Sequence, residues 1–185
     1  MFIFRRISEK DIYLEFITGN KVFDELNPDG TLKKYLEQDI IKGGYYYTYL
    51  LLELKENETN HELLSLLRYK YTSIEKYMEE LIKCKVPDKD QSLIKKKISE
   101  SKLKIIYLSR IGVVEFYQEM NVSQIIINFF EFLITRNKKN VLIYVKILEN
   151  IKKVIGPSYR IICKNKDEKW GNYYLASRII KFEPK

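Results

Sequence analysis

Residues that commonly bind metals are scarce in this 185-residue chain, which has one histidine, His61, and two cysteines, Cys84 and Cys163. The cysteines lie far apart, and no Cys-x-x-Cys pair or Cys/His cluster occurs. Zinc sites need such clusters, so the sequence predicts no metal site. Two isolated cysteines are typical of reduced thiols, and we expect a cytoplasmic protein.

Long hydrophobic runs are also missing, and none reaches the length of a membrane span. The first residues do not show the charged and then apolar pattern of a secretion signal. No segment is rich in proline, glycine or serine. With 45% hydrophobic residues, the chain is predicted to form a single soluble domain over residues 1–185, with no membrane partner.

The formal net charge is +8, which would favour an acidic partner such as a nucleic acid or an anionic cofactor. Its densest basic cluster contains Lys95, Lys96, Lys97, Lys102 and Lys104. Charge runs of this kind usually form a solvated surface, so nucleic acid is only weakly supported as a partner.

Periodicity and turn residues predict alternating strands and helices. Strands are predicted at 1–6, 45–55, 63–72, 104–113, 141–147, 159–163 and 173–182. Helices are predicted from Ser8 to about residue 17 and at 31–42, 73–82, 91–101, 122–136 and 149–155. Residues 73–101 are interpreted as a helical insertion between the third and fourth strands.

The most informative segment runs from the strand at 104–113 through a polar turn into the apolar helix at 122–136. A turn of free N–H groups at a helix N-terminus suits an anionic phosphate. The segment reads Ile111-Gly112-Val113 and then Tyr117-Gln-Glu-Met-Asn-Val-Ser123. It resembles the acetyl-CoA-binding core of the GCN5-related N-acetyltransferases, where (Ile/Leu)-x-Val leads into Tyr-(Arg/Gln)-x-x-Gly-x-(Gly/Ala).

This resemblance, together with the element order, implies an α/β (α+β) fold: a mixed, mostly antiparallel sheet with helices on both faces. It also implies acetyl-CoA as co-substrate. The pantetheine arm would contact the main chains of Ile111 and Val113. The pyrophosphate would be bound by Gln118, Glu119, Met120, Asn121, Val122 and Ser123, and Asn150 matches a further family position.

The turn departs from the family pattern at three positions. Asn121 replaces a glycine, and asparagine is the residue that best tolerates left-handed backbone angles after glycine. Ser123 replaces a glycine or alanine, and its hydroxyl could donate to a phosphate. Glu119 stands where glycine is common, and its carboxylate would be unfavourable near a pyrophosphate.

Catalysis requires a base for the ammonium proton and a donor for the departing thiolate. The family often places the donor on a tyrosine that is absent here, and Tyr159 is the nearest substitute. Glu115 is the candidate base, with Glu53 as an equal alternative, and His61 is expected to be exposed.

The sequence thus predicts an acyl-CoA-dependent N-acyltransferase that acetylates a primary amine. One alternative is a catalytically degenerate binding or regulatory module with the same fold. Another is a small basic nucleic-acid-binding α/β protein that stacks bases on Tyr45, Tyr46 and Tyr47. The sequence does not name the acceptor, and a homodimer is left open.

Overall fold

The computed structural model of the protein describes residues 2–7, 38, 42, 44–53, 61–113, 120–136, 139–148, 158–167 and 171–181. In these ranges the elements, in chain order, are β1 (Phe2–Ile7), β2 (Tyr46–Glu53), β3 (His61–Thr72), α1 (Ile74–Lys83), α2 (Asp88–Glu100), β4 (Lys104–Val113), α3 (Val122–Thr135), β5 (Val141–Leu148), β6 (Arg160–Asp167) and β7 (Gly171–Ile180). The helices predicted at 8–17 and 149–155 lie outside the described residues.

The strands form a sheet in the order β1-β2-β3-β4-β5-β7-β6. β4 and β5 are parallel, with Lys104–Leu108 opposite Val141–Val145. The pairs β1–β2, β2–β3, β5–β7 and β6–β7 are antiparallel. The sheet is therefore mixed and mostly antiparallel, as predicted. The chain divides into two compact units, a first unit of Met1–Lys70 with Arg110–Phe130 and a second of Tyr71–Ser109 with Glu131–Lys185.

In the first unit, β3 lies in the core, and its residues 65–69 are all buried. Burial of consecutive residues means that both faces of this strand are covered, because side chains alternate between the faces. On α3, Ile126, Ile127 and Phe130 are fully buried. The rings of Tyr69 and Phe130 lie 4.7 Å apart between centroids, which fixes the amino-terminal part of α3 on this core.

In the second unit, α1 and α2 pack on the sheet where the helical insertion is predicted. α1 begins as its sequence indicates, with the Ser73 side chain accepting a hydrogen bond from the Lys76 N–H at 3.3 Å. The apolar faces of the two helices form one buried cluster with the strands, which contains Tyr77, Leu81, Ile98, Ile105, Leu142, Tyr144 and Leu175.

Helices cover both faces of the sheet in the second unit, as β7 shows. Ser177 and Arg178 are neighbours on this strand, so their side chains lie on opposite faces. Ser177 is hydrogen-bonded to Tyr77 of α1. Arg178 pairs with Glu131 of α3. The predicted arrangement of helices on both faces is confirmed.

Two predicted boundaries were wrong. The helix α2 starts at Asp88, three residues before the predicted Gln91, with Pro87 at the N-cap position and φ of −56°. Proline there starts the helix instead of breaking the segment, because its fixed φ is already helical. Strand β6 continues beyond Cys163 to Asp167, opposite β7. Its end contains two lysines, Lys164 and Lys166, and an edge strand tolerates such exposed charges.

The prediction of reduced thiols was also wrong, because Cys84 and Cys163 are joined in a disulfide with Cα atoms 6.0 Å apart. Cys84 is the residue that follows α1, and Cys163 lies on β6. A hydrogen bond lies beside the disulfide, because the Asn165 amide donates to the Lys83 carbonyl at 2.8 Å. The disulfide removes the argument for a cytoplasmic location that was based on reduced cysteines.

Candidate active site

The predicted cofactor contacts that the structure describes all lie in the first unit, on the end of β4 and the start of α3. Ile111 and Val113 are half-buried. The β4–β5 ladder ends at the pair Leu108–Val145, and β4 continues past it to Val113. The predicted pantetheine contacts therefore fall on the part of β4 that follows this ladder. Glu115, Gln118 and Glu119 lie outside the described residues.

Asn121 sets the shape of the turn before α3. Its φ is 57°, in the left-handed region, which glycine adopts most readily and asparagine tolerates. Its carbonyl accepts from the Gln124 N–H at 3.0 Å and the Ile125 N–H at 3.2 Å. Asn121 is therefore the N-cap of the helix and takes the backbone shape expected of a glycine at this position.

The start of α3 is suited to an anion. The first N–H groups of a helix have no acceptor within the helix, and the helix dipole adds positive potential there. The first turn of α3 contains no acidic residue. Val122 is 3% exposed and Ser123 is half-buried, so the turn is anchored by packing. Met120 and Asn121 are exposed, which leaves this end of the helix accessible.

Tyr159, the predicted proton donor, lies in the second unit and is 6% exposed. Its hydroxyl donates to Glu131 Oε1 at 3.1 Å. The Arg178 Nη1 donates to both oxygens of the same carboxylate, at 2.9 Å and 2.7 Å. Tyr159, Glu131 and Arg178 thus form a connected network of two buried residues and the half-buried Arg178, which we call the Glu131 triad.

Burial and ionic contacts oppose each other in the Glu131 triad. Burial raises the pKa of Glu131, and the Arg178 charge and the bond from Tyr159 partly offset this. Burial and the adjacent Glu131 carboxylate raise the pKa of the Tyr159 hydroxyl well above 10.0. A hydroxyl with a raised pKa gives up its proton less readily, which weakens it as a donor to a thiolate. The catalytic role of Tyr159 stays a prediction.

Glu131 and Arg178 were not among the site residues predicted from the sequence. Glu131 is the one acidic residue within the apolar run Ile125–Ile134, and a charge on an apolar helix face is a usable signal of a buried partner. Its partner Arg178 is 47 residues away, and no local pattern connects the two. Asn150, the further family position, lies outside the described residues.

In the described part of the chain, no group of three His, Cys, Asp or Glu side chains comes together as a metal ligand set. Likewise, none of the helices described is long and apolar enough to span a membrane.

Comparisons with known proteins find similarity in structure. No protein-family model matches the sequence, and no curated protein matches it. The crystal structure of Arabidopsis thaliana NAA60 in complex with acetyl-CoA is similar, with a TM-score of 0.60, 14% identity, and 97% of this chain and 99% of that chain covered. The ribosomal-protein-S18-alanine N-acetyltransferase of Escherichia coli has a TM-score of 0.58 at 6% identity, with 100% and 97% covered.

A third solved structure, the PaiA N-acetyltransferase of Thermoplasma acidophilum in complex with coenzyme A, has a TM-score of 0.54 at 5% identity. It covers 97% of this chain and 99% of that chain. The likeness extends over the whole length of all three proteins, whereas the identities are very low. It confirms the predicted fold, that of the GCN5-related N-acetyltransferases.

Proposed function

We propose that this chain, whose fold is that of the GCN5-related N-acetyltransferases, is an acyl-CoA-dependent N-acyltransferase that acetylates a primary amine. The observation that carries the proposal is the turn before α3. In a chain with this fold, Asn121 has a left-handed φ of 57° and caps a helix whose first turn contains no acid. A left-handed backbone, which glycine adopts most readily, thus stands at the position where the family pattern has glycine, and this supports the proposal.

Each predicted contact has a role in this proposal. The main chains of Ile111 and Val113 would pair with the amides of the pantetheine arm, as an added strand does. The N–H groups of Val122 and Ser123, with the Ser123 hydroxyl, would donate to the pyrophosphate. Gln118, Glu119 and Asn150 are retained as proposed contacts on sequence grounds.

The acceptor class is proposed from the chemistry and from the neighbours. In acetyl transfer the amine nitrogen forms a bond to the thioester carbonyl carbon, the carbon–sulfur bond breaks, and CoA leaves as the thiolate. The ammonium proton must go to a base, for which Glu115 remains the candidate. One of the similar proteins acts on the alanine of ribosomal protein S18, which supports a primary amine as the acceptor.

A non-catalytic module with the same fold is the second candidate. The observation in its favour is the Glu131 triad, because the Tyr159 hydroxyl donates to Glu131 instead of standing free. Such a module would bind an acyl-CoA without transferring the acyl group.

Binding is tested first, by thermal unfolding with acetyl-CoA, with CoA and with buffer of equal ionic strength. At a ligand concentration of about 100 times Kd, binding adds about 2.7 kcal/mol. For a chain of this size that raises Tm by roughly 5–10 °C. No rise with either ligand at millimolar concentration would refute the proposed site.

Ser123→Glu and Ser123→Gln locate the site on α3. The two replacements have nearly equal size, and only the glutamate places a negative charge where the pyrophosphate is proposed. A glutamate in the first turn favours the helix itself, so weaker binding would not reflect unfolding. We expect Ser123→Glu to lose most of the Tm rise and Ser123→Gln to lose less; Tm rises in both variants that equal the rise of the parent chain would place the pyrophosphate elsewhere.

Turnover is tested by release of CoA thiol with a panel of primary amines. Binding with acetyl transfer supports the enzyme, and binding without transfer to any amine supports the module.

A further inference from the structure

We propose a second ligand site in a cleft at the start of β4, specific for a small aromatic phosphate. This cleft, which we call the β4 cleft, has a volume of about 460 Å³ and is lined by residues of the second unit. The volume is within the usual range for small-molecule sites. The lining residues that matter here are Tyr71, Thr72, Ser99, Lys102, Leu103 and Lys104. They include the first residue of β4, whereas the proposed acyl-CoA contacts on this strand are at its last residues.

Positive charge defines the polar side of the β4 cleft. Lys102 and Lys104 both line it and are exposed, and no carboxylate is among its described lining residues. Glu100, the acid nearest to Lys102 in the sequence, has its carboxylate 3.8 Å from the Lys96 ammonium. Two ammonium groups on a cleft whose described lining contains no carboxylate suit a dianion, and lysine is a common partner of phosphate.

The backbone of Lys102 fixes the place from which its side chain extends at the β4 cleft. Its φ is 47°, a left-handed conformation that follows the end of α2. The turn is held by hydrogen bonds from the Lys102 N–H to the Ser99 carbonyl at 3.2 Å and from the Leu103 N–H to the Ile98 carbonyl at 3.1 Å. Because glycine adopts this conformation without cost, replacing Lys102 by glycine removes the ammonium group and keeps the turn.

The apolar side of the β4 cleft is suited to a flat ring. Tyr71 is 38% exposed, and the Lys104 ammonium lies 5.2 Å from the centroid of its ring. This contact holds a cation and an aromatic surface together on one wall. Ile98 and Ile105, which are 4% and 5% exposed, also line the cleft, and they provide an apolar, rigid base.

These features together select the ligand class. A phosphate monoester is close to a dianion at neutral pH and would pair with Lys102 and Lys104. A planar ring attached to it would pack against Tyr71 and Leu103, and the Thr72 and Ser99 hydroxyls could bond its polar edge. A nucleoside monophosphate combines these groups, and phenyl phosphate is their minimal form.

The test is isothermal titration of the full chain with phenyl phosphate and with inorganic phosphate, in the presence of saturating dephospho-CoA. Dephospho-CoA keeps the pantetheine and pyrophosphate that the proposed acyl-CoA site binds but has no phosphate monoester, so it leaves the β4 cleft open, and the result does not depend on acetyl transfer. If neither CoA nor dephospho-CoA causes a thermal shift, the acyl-CoA proposal fails separately and the titration is run without dephospho-CoA. We expect phenyl phosphate to bind more tightly than inorganic phosphate.

Lys102→Gly and Lys85→Gly form a matched pair. Lys85 follows α1 with φ of 54° and is exposed, as Lys102 is, but it does not line the β4 cleft. Both changes relieve the same backbone cost, and both variants should be at least as stable as the parent chain. We expect Lys102→Gly to weaken phenyl phosphate binding about tenfold, because the variant loses one hydrogen bond from a charged group to the phosphate. We expect Lys85→Gly to leave phenyl phosphate binding unchanged.

The proposal is overturned if phenyl phosphate does not bind, if it binds no better than inorganic phosphate, or if the two lysine variants lose binding equally.

Discussion

Replacing Tyr159 by phenylalanine removes one hydroxyl and leaves the ring in place. The ring is 6% exposed, so it keeps its packing, and the change isolates the 3.1 Å hydrogen bond to Glu131. A hydrogen bond to a charged partner contributes about 1.5–3 kcal/mol. Arg178 still binds both carboxylate oxygens in the variant, so we expect the free energy of unfolding at pH 7 to fall by about 1.5 kcal/mol.

The same change has a signature at high pH. The pKa of Tyr159 is raised above 10.0 in the folded state, so the unfolded chain loses this proton first as pH increases. The stability that this group contributes is therefore complete below pH 10 and is lost above it, by about 1.4 kcal/mol per pH unit. At pH 11 the parent chain should consequently have lost most of its advantage over Tyr159→Phe.

The assay is urea unfolding followed by circular dichroism at pH 7 and pH 11, with Tyr77→Phe as the control. Tyr77 is 1% exposed and bonds the neutral Ser177 side chain, so its loss at pH 7 should be smaller, about 0.5–1 kcal/mol. Equal losses for both variants at pH 7 would refute the ionic character of the Glu131 triad. If Tyr159→Phe instead slowed acetyl transfer about 100-fold with unchanged stability, Tyr159 would be the proton donor.

Three further predictions concern the turn, the disulfide and the buried acid. Asn121→Val, at a φ of 57°, should lower the free energy of unfolding by about 1–2 kcal/mol, and Asn121→Gly should not; equal denaturant midpoints would contradict this. Replacing Cys84 and Cys163 by serine removes a disulfide between residues 79 apart. The free energy of unfolding in urea should fall by about 4 kcal/mol without reductant, and with reductant the two chains should have the same free energy of unfolding. The pKa of Glu131 is raised above 4.5 in the folded state, so the stability that this group contributes is complete below pH 4.5 and falls as pH rises. The free energy of unfolding of Glu131→Gln should therefore increase relative to that of the parent chain between pH 4 and pH 7. Parallel pH profiles of the two chains would contradict this prediction.

Local sequence patterns were sufficient for most of the described elements. The strand at 104–113 and the serine cap of α1 are encoded by neighbouring residues, an apolar run in one case and Ser73 before a helical period in the other. The boundaries of α2 and β6 differ from the prediction at Pro87 and at the lysines after Cys163, residues that are uncommon inside helices and strands. Their actual roles depend on a helix start and on an edge position in the sheet, which only the folded chain defines.

Contacts over long sequence separations were not predictable in the same way. The disulfide joins residues 79 apart, and the Tyr159 hydroxyl reaches a carboxylate 28 residues earlier. Each pair depends on which strands and helices become neighbours, and a single sequence contains no direct record of that. The sequence accordingly suggested Tyr159 as a catalytic group from its position in the chain, without information on the group that its hydroxyl would meet.

The scarcity of glycine in the turn before α3 has a structural explanation that favours a retained phosphate site. Glycine can serve a turn either by adopting a left-handed backbone or by leaving space for a ligand. Of the described residues 120–123, only Asn121 has a positive φ, so only this position needs the conformational freedom of glycine, and asparagine supplies it. Ser123 needs only to be small, and a hydroxyl adds a donor. At residues 120–123 the change of sequence therefore leaves a left-handed position where the family has glycine, and Ser123→Glu asks whether this turn binds a pyrophosphate.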